Sequence, residues 1–551
     1  MRTLHAFIFL LLSPALAAQE PVIVTVDSTT KLGPVKPIWN YFGYDEPNYT
    51  YMKNGKKLVA ELTATGPGPV FFRAHSLLVS GDGKPALKWG STNAYTEGAA
   101  GNSVYDWTIV DRIFDTYREA RGKPFVEIGF MPEALSSQPQ PYRHKWPDGS
   151  ISTGWAFPPK DYDRWRELIY QWTKHCVERY GKAEVETWYW EVWNEPDILY
   201  WRGTPEEYNK LYDFAVDGVK RALPTARVGG PATTGPANPK AAAFLQQFLQ
   251  HCLNGKNEAT GKAGSPLDFV TYHAKGRPTV VDDHVRMGLS KNLQDVASGM
   301  EILNAFPKFR KLPIILSESD PEGCAACSAR VYPQNAYRNG TLYPTYTAAA
   351  INNTLKLADR HRSNIAGLLT WAFEFEDQPY FDGFRTLATN GIDKPVLNVF
   401  RMAAMMSGNR VRTESTGAAG LDAILKDGVT AKPDVDAFAS RGPHDVTVML
   451  WNYHDDDMPA PDASVKLTIA GLPKQVQVRH YRIDATHSNA YTVWKNMGSP
   501  QSPNEEQYKQ LEAAGQLQLL QPSQPVSTQA GKAALEFLLP RQAVSLVQLT
   551  W

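Results

Sequence analysis

Thr187-Trp188-Tyr189-Trp190-Glu191-Val192-Trp193-Asn194-Glu195-Pro196 decides the fold. Aromatic and β-branched residues suit a pleated, buried strand, and Pro196 has no N–H to carry a ladder further. The strand therefore ends on an amide and a carboxylate, Asn194 and Glu195. In a parallel barrel, polar groups at the C-terminal strand ends sit on the face where chemistry is done. Working outward, similar segments recur at 38–44, 69–75, 124–130, 227–231, 267–273, 313–318 and 365–371. Between them, stretches such as 107–121, 162–180, 208–223 and 294–306 place apolar residues three and four apart, the helical spacing. Strand then helix, eight times, predicts an α/β (β/α)8 TIM barrel over 37–405.

Beyond about 406 the texture changes. Short alternating runs at 446–452, 465–469, 476–483 and 544–550, separated by Gly, Pro and Asp, predict a C-terminal β-sandwich over 406–551. Residues 19–36 carry a strand expected to pair into that sandwich, and 489–516 read as loop and short helix. At the start, Arg2, the apolar run 6–12 and Ser13-Pro-Ala-Leu-Ala-Ala18 predict a secretory signal peptide over 1–18. The run is too short to span a bilayer. The expectation is an exported protein, secreted or periplasmic, with no membrane partner.

Lys plus Arg and Asp plus Glu both number 57, so no net field draws the chain to nucleic acid. The 15 Trp and 25 Tyr suit stacking against the C–H faces of sugars, though packing aromatics would look the same. Of the four cysteines, Cys324-Ala-Ala-Cys327 is best read as a local disulfide, since it lacks a second pair for zinc or a thioredoxin-like context. With Cys176 and Cys252 the four cysteines allow three pairings, and the connectivity stays open.

A second carboxylate, Glu318, ends the apolar run Ile314-Ile-Leu-Ser-Glu318 in the seventh predicted strand. Retaining cleavage of a glycosidic bond needs two carboxyl groups about 5–5.5 Å apart, one a proton donor and one a nucleophile. Glu195 is expected to be the acid/base, with a raised pKa, and Glu318 the charged nucleophile. Asp320 and Glu322 lie close to Glu318 and are rivals for that role. Asn194 is placed to bond the sugar 2-hydroxyl, and His75 and His273, ending strands two and six, to orient carboxylates or bind hydroxyls. Trp371, ending strand eight, makes a stacking floor. Glu127, Glu191 and Glu374 read as supporting carboxylates. No cluster has metal-ligand spacing, so neither a metal nor another cofactor is expected. Long loops at 80–105, 136–161 and 319–343 are expected to wall one mouth.

Trp188-Tyr-Trp-Glu-Val-Trp-Asn-Glu-Pro-Asp197 resembles the signature of glycoside hydrolase family 39, which includes β-xylosidases and α-L-iduronidases; Trp190 stands where the family more often has Phe. The likeness extends through Phe72-Arg-Ala-His75, Pro124-Phe-Val-Glu-Ile-Gly-Phe-Met-Pro132, Gly229-Gly-Pro231, Asp268-Phe-Val-Thr-Tyr-His273, Gly391-Ile-Asp-Lys-Pro395, Tyr481-Arg-Ile-Asp484 and His487-Ser-Asn489. It implies a barrel plus β-sandwich, with acid/base Glu195 and nucleophile Glu318. Lys275 resembles the lysine of iduronidases and Arg385 their second cation, the pair that would hold a uronic carboxylate. Trp371-Ala-Phe-Glu-Phe-Glu-Asp377, containing Glu376, is instead similar to bacterial xylosidases, and Glu376 is expected to bind substrate. The expected activity is exo-acting β-D-xylosidase on xylo-oligosaccharides. The alternatives are α-L-iduronidase-like or α-L-arabinosidase activity, or a sugar-binding protein without catalysis. An oligomer is compatible with this sequence.

Overall fold

The computed structural model describes residues 20–551 apart from 67, 147, 148, 153 and 372. The leader expected at 1–18 lies outside the described residues. Eight parallel strands close into a barrel in chain order: Tyr41–Tyr44, Phe71–Ala74, Lys123–Ile128, Tyr189–Val192, Arg227–Thr233, Phe269–Lys275, Ile314–Asp320 and Ile365–Trp371. Closure is direct, since Leu369 to Trp371 of the eighth strand pair with Tyr41 to Gly43 of the first. A helix follows each strand, from Lys53–Thr63 after the first to Pro395–Ala404 after the eighth. The helix Pro205–Ala222 shows why these segments start where they do. Thr204 accepts from the backbone of Glu207, the Glu207 side chain answers to Thr204, and Pro205 fills a first-turn position that needs no donor.

The barrel interior is layered by the two-residue period of its strands. At the N-terminal end, Tyr41, Phe71, Phe125, Tyr189 and Phe269 form an aromatic plug, with neighbouring ring centroids 4.9–5.3 Å apart. Two residues further along the same strands stand Arg73, Glu127, Glu191 and Thr271, all fully buried. Two further again come His75 and His273. The plug makes the barrel a packed core below and leaves its upper end for polar groups.

The remaining chain forms one nine-stranded sheet. Val22–Pro34 is threaded through it, antiparallel to Asn409–Ser415 and parallel to Ala463–Ala470. The strand Asp445–Tyr453 buries both faces: Val446, Val448 and Leu450 in the sheet's own core, Met449, Trp451 and Tyr453 toward the barrel. Four strands of this sheet gave no clear alternation in sequence. In Asp434–Arg441 the buried Asp434 and Asp436 hide the period, because they accept from Trp451 Nε1 at 2.9 Å and pair with Lys356 at 2.6 Å. Gln518–Ser527 is an edge strand, where Pro522 and Pro525 are tolerated. Asn409–Ser415 and Lys532–Leu539 likewise interleave polar residues. Residues 489–516 hold two helices, Ala490–Asn496 and Glu505–Gly515, rather than loop with one. No described helix is long and apolar enough to cross a membrane.

Gly43 tests the closure. A Cβ there would lie 2.5 Å from two ring carbons of Trp371 and 2.7 Å from Leu369 Cδ2. Gly43→Ala is expected to cost about 1–3 kcal/mol through overpacking, read as a lower melting temperature. An unchanged melt would show that the Trp371 ring is not wedged at the seam.

Candidate active site

The fourth strand leaves the ladder through two residues in the left-handed backbone region, Trp193 at φ 71° and Glu195 at φ 43°. Such conformations persist in non-glycine residues only when their surroundings hold them. Here Trp193 N–H donates to Ile128 O and its Nε1 to Tyr200 O, while Glu195 N–H donates to Ala232 O at 2.8 Å. The result aims Glu195 across the barrel mouth rather than along its rim. Glu318 needs no such bend, because the seventh strand continues through it to Asp320.

Asn194, Glu195, Glu318, His75, His273, Lys275 and Trp371 all line one cavity of about 590 Å³ at the C-terminal end of the barrel. A carboxylate oxygen of Glu195, one of Glu318 and a ring nitrogen of His273 lie within 4.8 Å of one another. His273 Nδ1 is 2.9 Å from Glu195 Oε1 and 3.7 Å from Glu318 Oε2. The Lys275 ammonium pairs with Glu318 and stands 3.7 Å from Glu195. These donors are close enough to suit an ion, but the lysine already supplies the positive charge that an ion would bring.

Beneath the pair lies Arg73. Its guanidinium pairs with Glu191 at 2.6 Å and Glu127 at 2.9 Å, donates to Asn194 Oδ1 at 3.0 Å and reaches Glu318 at 3.4 Å. His75 links Glu127, at 2.5 Å from its Nδ1, to Asp45 and Glu318, at 3.3 and 3.5 Å from its Nε2. Burial pushes Glu318 upward, yet His273, Lys275 and His75 overcome it and hold the carboxyl well below its usual range. Glu195 is also raised by burial and brought below its ordinary value by Lys275 and His273. The expected raised acid is thus not found, because one lysine serves both carboxylates. Asp320 differs from both: burial lifts it to about 7 against the pull of Arg385.

Two expected binding residues are placed elsewhere. Arg385 is fully buried, paired with Asp320 at 2.6 Å and Glu322 at 2.7 Å, and does not line the cavity. Glu376 accepts from the backbone of Asn54 at 3.0 Å, next to the first helix, because the chain after the eighth strand turns away from the mouth. Glu374 likewise holds the backbone of Gly391. Of the long loops, 80–105 gives Lys88 and 319–343 gives Gly323, Cys324, Cys327 and Tyr332 to the cavity wall. Among the described residues 136–161 gives none; the loops after strands four, five and six take that side with Tyr200, Thr234, Asn238 and Arg277. Cys324 and Cys327 are disulfide-bonded, and Cys176 and Cys252 are buried free thiols.

Arg73, Asp45 and Lys88 were not legible as site residues from the chain. For Arg73 a signal existed: an arginine two residues before His75 in a strand shares its inward face. Lys88, inside a long loop, offers none.

A parallel barrel with two carboxylates converging at its mouth defines a glycoside hydrolase. The sequence model of the glycosyl hydrolases family 39 matches residues 22–529, and the chain belongs to that family of retaining glycosidases. It is 28% identical over 424 residues to a β-xylosidase of Caldicellulosiruptor saccharolyticus, covering 74% of this chain and 76% of that one. To the human α-L-iduronidase it is 26% identical over 535 residues, 91% of this chain and 74% of that one. The crystal structure of a monomeric β-xylosidase from Caulobacter crescentus CB15 shares the fold, with a TM-score of 0.74 at 23% identity over 96% of this chain and 99% of that one.

His75 gives the site a pH signature. Burial disfavours its charge, but Glu127, Glu318 and Asp45 raise its pKa from 6.5 to about 9. A group raised on folding stabilises fully below its unfolded pKa, and that contribution drains away as pH climbs through the folded value. Between pH 6.5 and about 9, the melting temperature should fall more steeply for wild type than for His75→Gln. Parallel curves would show that His75 is neutral in the fold.

Proposed function

We propose that this chain is an exo-acting β-D-xylosidase in which Glu318 attacks the anomeric carbon and Glu195 is acid, then base. The observation that carries the pairing is the approach of Glu195 and Glu318 oxygens to within 4.8 Å. Double displacement works at carboxyl separations of about 5–5.5 Å, whereas inversion needs roughly 6.5–9.5 Å to admit a water. In the first step Glu195 gives its proton to the leaving oxygen as Glu318 bonds to C1. In the second, Glu195 takes a proton from water as that water displaces Glu318, and the anomeric configuration is kept. Arg73 occupies Asn194 Oδ1, which turns the amide NH2 toward the sugar 2-hydroxyl. When an incoming substrate draws Lys275 off the pair, Glu195 rises toward the range of a proton donor while the two histidines keep Glu318 charged.

Xylose as the glycone is supported by the locked Arg385, since the second cation of a uronide pocket is spent on Asp320 and Glu322. The higher identity to β-xylosidases points the same way. A second reading, an α-L-iduronide, is favoured by Lys275, whose ammonium lines the cavity beside both carboxylates. The basic start and short apolar run that read as a leader, with the Cys324–Cys327 disulfide, support export to an oxidising compartment.

Nitrophenyl β-D-xyloside set against a methylumbelliferyl α-L-iduronide decides the glycone. The expected result is faster turnover of the xyloside; an iduronide preference lost in Lys275→Ala would install the second reading. Glu195→Ala should lower kcat for poor leaving groups by about 10²–10⁴-fold. Glu318→Gly should lose hydrolysis and, with azide, form a glycosyl azide of inverted configuration. Near-normal turnover by Glu318→Gly would move the nucleophile to another carboxylate.

A further inference from the structure

Asp45 follows the last residue of the first barrel strand, and Lys88 reaches it from the loop after the second. Their side chains are 7% and 12% exposed, form an ion pair, and both line the cavity beside His75 and Trp371. Lys88 is held from two sides. Its backbone N–H donates to Glu46 Oε1 at 2.7 Å, and its own backbone lies in the left-handed region at φ 57°. Beside the pair lies a pocket of about 10 Å³ that it lines together with His75, Ser76, Phe130 and Tyr200. That is the space of about one water, so a sugar does not extend into it.

A buried ion pair is weak evidence of stability, because desolvation offsets its attraction. Asp45 moreover has His75 as a second cationic neighbour at 3.3 Å. A strained lysine that reaches into an open cavity to a carboxylate already served needs a different reason. An ammonium beside a carboxylate offers donors and an acceptor about one hydroxyl apart, which suits a pair of adjacent sugar hydroxyls. The reaction centre fixes which ones. C1 lies between Glu195 and Glu318, and Asn194 on the fourth-strand side takes the 2-hydroxyl. The far edge of the ring then faces strands two and one.

We propose that Asp45 and Lys88 form a clamp for the 3- and 4-hydroxyls of the terminal sugar and so set glycone specificity. This rests on the xylosidase reading and goes beyond it by assigning the closed end of the pocket. The clamp requires free hydroxyls at that edge, so it admits the unsubstituted end of a chain and rejects a sugar carrying a further residue there.

The test compares nitrophenyl β-D-xyloside with its 3-deoxy and 4-deoxy analogues on wild type, Lys88→Met and the charge-balanced double variant Asp45→Asn/Lys88→Met, each checked by thermal melt. Wild type should lose about 10- to 100-fold in kcat/KM on at least one deoxy analogue, the scale of a hydrogen bond to a charged group. Lys88→Met should lose a similar factor on the parent xyloside, chiefly through KM. Its further loss on that analogue should be under about threefold, because the contact is already gone. The double variant, which leaves no buried charge unpaired, should repeat this pattern. Losses that multiply on both analogues in the double variant would overturn the clamp. Failure of wild type to cleave the xyloside at all would overturn the substrate reading and the clamp with it.

Discussion

The structure depends on one arginine. Arg73 is fully enclosed in the barrel, and an enclosed guanidinium survives only if its charge and donors are met. Glu127 and Glu191 meet them from the third and fourth strands, Asn194 from the fourth-strand end and Glu318 from the seventh. The same contacts that satisfy the arginine therefore fix Asn194 and Glu318 at the cavity. Positioning and neutralisation are one interaction here, which explains why three glutamates tolerate burial together.

Above this layer the charges are uneven. His75, His273 and Lys275 all face Glu318, whereas Glu195 answers to His273 and Lys275. Two glutamates with the same intrinsic acidity are thereby separated, the one with more cations held more firmly ionised. Lys275 is the adjustable member, since its side chain is 21% exposed to the cavity while Arg73 is sealed. Its ammonium is shared between Glu195 and Glu318 at the cavity wall.

Much of this was legible because barrel strands end in chemistry. Glu195 and Glu318 stood out as carboxylates closing apolar runs, His75 and His273 as strand-end residues at like height, and Trp371 as the aromatic end of the eighth strand. The misses have physical reasons. Arg385 and Glu376 lie beyond the eighth strand, where the chain folds back on its own loops, and nothing in a linear pattern tells whether a cation there meets substrate or a neighbouring carboxylate. Lys88 comes from a loop whose path is set by tertiary contacts. In the sheet, strands with inward aspartates lose their alternation to hydrogen bonds that only the folded partner reveals.

The sheet also acts on the mouth. The sixth strand ends on Lys275, and the loop after it carries Arg277, then folds into the hairpin Thr279–Val281 and His284–Arg286. Arg286 forks onto Asp456 at 2.6 and 2.9 Å, Asp457 N–H donates to Val285 O, and Asp455 takes both Leu289 N–H and, through its carbonyl, Met287 N–H. A loop of this length is ordinarily among the most mobile parts of a barrel. Here its outer end is fastened to the strand end of Asp445–Tyr453, whose inward residues are packed on the barrel. The nine-stranded sheet is therefore a brace for the loop that leaves the mouth beside Lys275.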